Sequence, residues 1–361
     1  MAAPGTPITP RRLVLPGVFV LLLFGIIYLR QPERPGSEVP APPPLSFETL
    51  GGRAFGTTFT LRWKPREGLA PGAVEEAMVS VVKAVNASMS TYHPTSELSR
   101  FNGAEAGSTT VSASLAEVLA AAWRMHELTG GAFDPTVGPL VEAWGFGPKE
   151  VVDPPLPAEL AAARDLVGLS AVGLDEDSRT LSKPLEGISI ELSAIAKGYA
   201  VDQVSEALLE LGVQDHLVEI GGEVRGSGRG PRGRWTVGIE RPEPGSTKRV
   251  EEVVPLPAGR GLATSGNYRN FVLGEGGRTV THIIDPRSGN PVDHGLGSVT
   301  VVADTCMTAD ALATALYVLG EENGYAWAEE RGIAALFLTL DAGSVHRKAT
   351  SAYASIEESR P

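Results

Sequence analysis

IELSAIAKGYAVD, residues 190–202, is the stretch on which the reading of this chain turns. It reads as a strand-to-helix turn, with a helix from about Ala196 to Leu211 and Gly212 as its terminator. Glu191, Ser193, Lys197 and Asp202 gather around that turn. Amides at a helix N-terminus attract anions, and Lys197 in the first turn adds a full positive charge, so a phosphate or pyrophosphate is a fitting guest. A solvated lysine on an ordinary amphipathic helix is the competing reading.

Outward from this turn the chain alternates strand-like and helix-like periods. Phe59, Leu61 and Trp63 alternate as on a half-buried strand, and Val74, Met78, Val81, Val85 and Met89 follow at helical spacing. Ser114 and Glu117 form a capping box for a helix that Gly130-Gly131 stops. Downstream, strands are expected near residues 217–224, 235–240 and 298–303, then a helix near 309–319 and a strand near 334–338. The fold class is therefore α+β, one mixed α/β body with room for two lobes and with sites at element ends.

Two further segments carry chemistry. In THIIDPRSGNP, residues 281–291, His282 is either a general base or a structural histidine beside Ile283 and Ile284, and Asp285 is either a carboxylate of the site or a turn-former. In TADALATAL, residues 308–316, Thr308 is the expected N-cap, and Asp310 and Thr314 stand four residues apart on one helix face. Both are hard oxygen ligands suited to Mg²⁺; the alternative is an acidic first turn favoured by the helix dipole and a threonine bonding the preceding turn. Glycine-rich stretches at 54–59, 130–147, 219–228 and 263–268 match no Walker or dinucleotide-binding loop, and Ser265 lacks a nucleophile elbow.

The 361 residues carry 31 Lys+Arg against 43 Asp+Glu, a net charge of −12, and residues 1–44 hold four Arg against two Glu. The body is thus more acidic than the whole, which disfavours nucleic acid as a partner. Cys306 is the single cysteine, so no intrachain disulfide, thiolate cluster or N-terminal lipid-modified cysteine can form. Residues 13–29 are an uncharged apolar run between Arg11-Arg12 and Arg30, with no small-x-small cleavage site behind it. The run is a signal sequence or an anchor, and reads better as an uncleaved signal anchor, with 1–12 a short cytoplasmic tail, 30–44 a proline-rich linker and 45–361 the folded body. The body is then expected outside the cytoplasm, at the inner membrane on the periplasmic side if the resemblance described below holds.

In their order along the chain, FGTTF (55–59), STYHPTSELSRFN (90–102), GGAFDPTVGPLVEAWGFG (130–147), IELSAIAKGYAVD, EIGGEVRGSG (219–228), ATSGNY (263–268), HIIDPRSG (282–289) and ADALATAL (309–316) closely resemble the ApbE family, the FAD:protein FMN transferases. The resemblance spans about residues 47–330. It implies a Mg²⁺-dependent enzyme that uses FAD as substrate and attaches FMN through a phosphoester to a Thr or Ser of an acceptor protein, releasing AMP. An extracytoplasmic subunit of a membrane electron-transport complex is the implied acceptor.

Matched motif by motif, Phe55 stands where the family has a flavin-bordering methionine, and Tyr92 is similar to a second flavin contact. Ala132, Phe133 and Asp134 resemble the FAD-contacting stretch; Glu191 stands where the family usually has Asp, and Lys197 and Ile284 match further FAD contacts. The Ala194 carbonyl, Asp310 and Thr314 resemble the Mg²⁺ ligands, and His282 the catalytic histidine. Two other functions compete: a Mg²⁺-dependent FAD pyrophosphatase, in which water replaces the protein hydroxyl, and a non-catalytic FAD-binding protein.

Overall fold

In the computed structural model the described residues are 46–148, 154–243, 249–267, 271–273, 279–341 and 343–358. The expected anchor at 13–29, the linker at 30–44 and Tyr268 lie outside them. Among the described residues no helix is long and apolar enough to cross a membrane.

The framework is one eight-stranded antiparallel sheet whose neighbours in space follow the order of the chain. Its strands are β1 (Glu48–Ala54), β2 (Thr57–Trp63), β3 (His216–Ile220), β4 (Glu223–Ser227), β5 (Gly261–Gly266), β6 (Leu296–Ala303), β7 (Ala334–Asp341) and β8 (Ser344–Ala349). Long excursions between successive strands carry the helices: α1 (Ala73–Met89), α2 (Ala113–Thr129) and α3 (Ala196–Glu210) between β2 and β3, and α4 (Cys306–Glu330) between β6 and β7. A last helix, α5 (Ser351–Glu358), follows β8.

Strand periodicity separates two apolar faces. On β6 and β7, Val299, Val301, Ala335 and Phe337 enter the larger core beneath α1 to α4. Val302, Leu336 and Leu338 point the other way, onto Trp235, Val254 and Tyr353 of the Trp235–Glu240/Val250–Leu256 hairpin and α5. Because both faces are covered, all eight residues of β6 are buried. A smaller apolar cluster joins Leu140, Ala163 and Ile284. The described residues form one compact unit rather than two lobes.

Helix starts differ from the sequence reading in an instructive way. The N-cap of α2 is Ser112, not Ser114: the Ser112 hydroxyl accepts from Leu115 N, and the Ser112 amide donates to the Glu97 carboxylate at 2.6 Å. A glutamate from another helix thus takes the reciprocal half of the capping box. The N-cap of α4 is Thr305, not Thr308, with the Thr305 hydroxyl accepting from Thr308 N. The helix runs to Glu330 across a break at Gly320, whose φ of 80° is non-helical. The single strand expected over 217–224 is a hairpin, β3 and β4, joined by Gly221 and Gly222 at φ 68° and 110°. A two-residue connection with both φ positive matches the strand twist, and glycine adopts it without steric cost.

Candidate functional site

Two such hairpin tips sit side by side at one end of the sheet. Phe55 and Gly56 link β1 to β2 at φ 49° and 76°, and Gly221 N donates to the Thr58 carbonyl at 2.9 Å. An aromatic residue in the left-handed region is a costly conformation, and such residues cluster at functional sites. Beside these tips opens a cleft of about 790 Å³, lined by the N-terminal turn of α3, the first turns of α4, the end of β5, residues 282–284 and Pro286. Phe55, Tyr92, Ala132, Phe133, Asp134, Glu191, Ala194, Lys197, His282, Ile284, Asp310 and Thr314 all line it.

The floor is built where α3 meets α4. Gly198 permits the approach: a Cβ there would lie 2.4 Å from the Cys306 carbonyl oxygen. Two carboxylates then cap the helices reciprocally. Asp202 of α3 accepts from the Cys306 and Met307 amides, each at 2.9 Å, and is paired to Arg225 at 3.0 Å. Asp310 of α4 accepts from Gly198 N at 3.0 Å, supplying an acceptor to a helix whose N-cap, Ile195, makes no side-chain hydrogen bond. Lys197 Nζ lies 2.9 Å from Glu223 Oε1 and 3.6 Å from Asp310 Oδ1. Thr314 Oγ1 meets Ser265 Oγ at 3.0 Å, so the threonine hydroxyl is oriented from β5.

Electrostatics at this floor follow from burial. Asp310 is 2% exposed; desolvation pushes its carboxyl up to about 7, with Lys197 pulling down and Glu223 pushing up. Burial alone would depress the Lys197 ammonium, but the carboxylates of Asp310 and Glu223 more than reverse this and hold it charged. With Asp310 ionised, two carboxylates face one ammonium, and Glu223 Oε2 is buried without a hydrogen-bond partner. The donor set fits a hard divalent cation. Among the described residues no group of three His, Cys, Asp or Glu side chains converges as metal ligands.

The walls are more varied. Glu191 accepts from Ser193 N at 2.8 Å and from the Thr91 hydroxyl at 3.4 Å, and desolvation raises its pKa. Ala132 and Phe133 are buried, and the Phe133 amide donates to the Thr129 hydroxyl at 3.1 Å. Asp134 accepts from the Thr136 amide and hydroxyl at 2.7 and 2.6 Å, so it also shapes the turn it sits in. Tyr92 is exposed at the mouth, its hydroxyl donating to the Phe146 carbonyl at 3.3 Å. The ring of His282 stands edge-on to that of Phe146, with centroids 6.4 Å apart. Asp285 is a turn-former: it accepts from the Arg287 amide at 3.0 Å and pairs with the Arg287 guanidinium at 2.9 Å.

Sequence reading missed Glu223, hidden in a stretch taken for a tight turn, and took Ser265 only as a failed nucleophile. The signal for Glu223 was its position two residues past Gly221, where a hairpin tip delivers the first side chain of β4 to the sheet end.

The ApbE family model matches residues 55–337. The chain is 41% identical over 321 residues to the FAD:protein FMN transferase of Haemophilus influenzae, covering 86% of this chain and 92% of that protein. It is 37% identical to that of Vibrio cholerae, over 93% of this chain and 97% of the relative. Among solved structures, the flavin transferase ApbE from Vibrio cholerae superposes with a TM-score of 0.78 at 38% identity, covering 86% of this chain and all of that one. The apo Pseudomonas stutzeri flavinyl transferase ApbE gives 0.77 at 35% identity, covering 88% of this chain and 98% of that one. The chain belongs to the ApbE family.

Proposed function

We infer that this chain is an FAD:protein FMN transferase: it moves FMN from FAD to a Thr or Ser hydroxyl of an acceptor protein, in a Mg²⁺-dependent reaction that releases AMP. The observation that supports this best is the convergence, in one cleft, of the residues matched from six separated motifs, with Lys197, Asp310 and Thr314 at its floor. Full-length relatives named for this activity point the same way.

In this reading Asp310, Thr314 and the Ala194 carbonyl hold Mg²⁺. When bound, the cation neutralises the pyrophosphate and stabilises the charge that builds on it. Lys197 faces the same phosphates from the first turn of α3 and supplies fixed positive charge as the transition state forms. Phe55, Tyr92, Ala132, Phe133, Asp134, Glu191 and Ile284 hold the flavin and the rest of FAD, keeping the flavin-side phosphorus in reach of the cleft mouth. His282 takes the proton of the incoming hydroxyl. A new O–P bond forms between that oxygen and the flavin-side phosphorus, the bridging P–O bond breaks, and AMP carries away its electron pair.

The body works on the periplasmic face of the inner membrane, tethered by residues 13–29, with a membrane electron-transport subunit as acceptor. The deciding experiment is incubation with FAD, Mg²⁺ and a Thr-containing acceptor segment, followed by intact-mass and peptide mass spectrometry. An FMN-sized adduct on Thr or Ser with stoichiometric AMP supports the transferase; free FMN with unmodified acceptor replaces it with a pyrophosphatase.

A further inference from the structure

Glu223 belongs to none of the ligand or base roles described above, yet it lines the same cleft beside Lys197. It is 3% exposed, its Oε1 holds Lys197 Nζ at 2.9 Å, and its Oε2 has no hydrogen-bond partner. A carboxylate kept there for stability would have both oxygens satisfied, because a buried acceptor left unpaired carries its full desolvation cost. The hairpin tip of Gly221 and Gly222 fixes where this side chain enters, and β3 and β4 are rigidly paired behind it.

The consequence lies in what Lys197 does without it. Lys197 stands between two carboxylates, 2.9 Å from Glu223 and 3.6 Å from Asp310. An ammonium at this depth keeps a carboxylate partner, and with Glu223 neutral the partner left is Asp310, the side chain that the cation requires. We propose that Glu223 is a positioning residue that draws the Lys197 ammonium off Asp310, leaving the aspartate open to a divalent cation and the lysine aimed at phosphate. The proposal rests on the reading of Asp310 as metal ligand.

The test measures Mn²⁺ binding to the whole protein by electron paramagnetic resonance and calorimetry, in the presence of FAD, with wild type, Glu223→Gln, Lys197→Met, the double variant and Asp310→Asn. Glu223→Gln is expected to weaken Mn²⁺ on the order of 10- to 100-fold, the range for groups that orient a metal ligand, with a melting temperature at or above wild type. In the Lys197→Met background the same change is expected to cost less than about 3-fold, because the competitor for Asp310 is gone. Wild-type Mn²⁺ affinity in Glu223→Gln overturns the proposal. So does an equal loss with and without Lys197, which would make Glu223 a long-range charge instead. If Asp310→Asn binds Mn²⁺ as wild type does, the metal reading itself fails, and that outcome is distinct from both.

Discussion

Gly198→Ala tests the whole floor through one methyl group. The residue is helical, so the substitution introduces no φ strain and improves helix propensity by about 1 kcal/mol. The added Cβ, however, would sit 2.4 Å from the Cys306 carbonyl oxygen and 2.7 Å from Met307 Cα, about 1 Å short of ordinary contact. These are backbone atoms that cannot rotate away, so α3 and α4 must separate by that amount. The cost of such overpacking is about 1–3 kcal/mol, partly offset by propensity, and a shift of 1 Å in catalytic groups costs about 10²-fold in rate. The displacement also breaks the 3.0 Å bond from Gly198 N to Asp310 and the 2.9 Å bonds from Asp202 to the start of α4. We therefore expect a melting temperature only a few degrees lower, at about 2–4 °C per kcal/mol, with flavin transfer slowed on the order of 10²-fold. Gly51→Ala, whose Cβ would meet only the Phe59 carbonyl at 3.6 Å, is the matched control and is expected to leave both unchanged. Wild-type transfer by Gly198→Ala would refute the claim that the α3–α4 spacing sets the site.

Asp310→Ala removes the charged ligand and is expected to abolish transfer at any Mg²⁺ concentration, whereas Thr314→Ala raises the Mg²⁺ requirement more modestly, since water replaces a neutral hydroxyl; Mg²⁺ titrations of the initial rate separate the two. His282→Ala is expected to keep FAD binding, followed by flavin fluorescence, while transfer falls on the order of 10²- to 10⁴-fold; lost binding would make His282 structural. His216 is buried, donates from Nδ1 to the Val213 carbonyl at 2.8 Å and meets Ser205 Oγ through Nε2 at 2.8 Å, and burial pushes its pKa down. The unfolded chain then binds that proton more readily than the native one. Its share of stability is present above the unfolded value of about 6.5 and is lost as pH falls from there toward the depressed native value. Melting temperatures from about pH 8 to 5 should show a steeper acid-side loss for wild type than for His216→Gln; parallel curves would contradict this.

What was legible in the sequence was whatever depends on local rules. Val74 to Met89 and Ala196 to Leu211 carry helical spacing, and the helices run over Ala73–Met89 and Ala196–Glu210. The α+β class, and the set of residues that line the cleft, followed from motifs that each hold a turn and its flanks. The misread details share one cause: a partner from elsewhere in the chain. Ser112 could not be identified as the cap of α2 because its amide is served by Glu97, which lies on a separate short helix. Residues 217–224 read as one strand because alternating apolar residues do not reveal that Gly221 and Gly222 reverse the chain between them.

The same cause explains why Asp310 was recognisable and Glu223 was not. A carboxylate and a hydroxyl four residues apart on an alanine-rich helix are anomalous within their own sequence, so the pair announces itself. Glu223 is anomalous only in three dimensions, where β3–β4 pairing carries it to the N-terminus of α3 and opposite a residue 26 positions away in the chain. At that place one carboxylate oxygen pairs with Lys197 and the other is left with its desolvation cost. On the proposal above, its place in the charge balance among Lys197, Asp310 and Glu223 is what accounts for it.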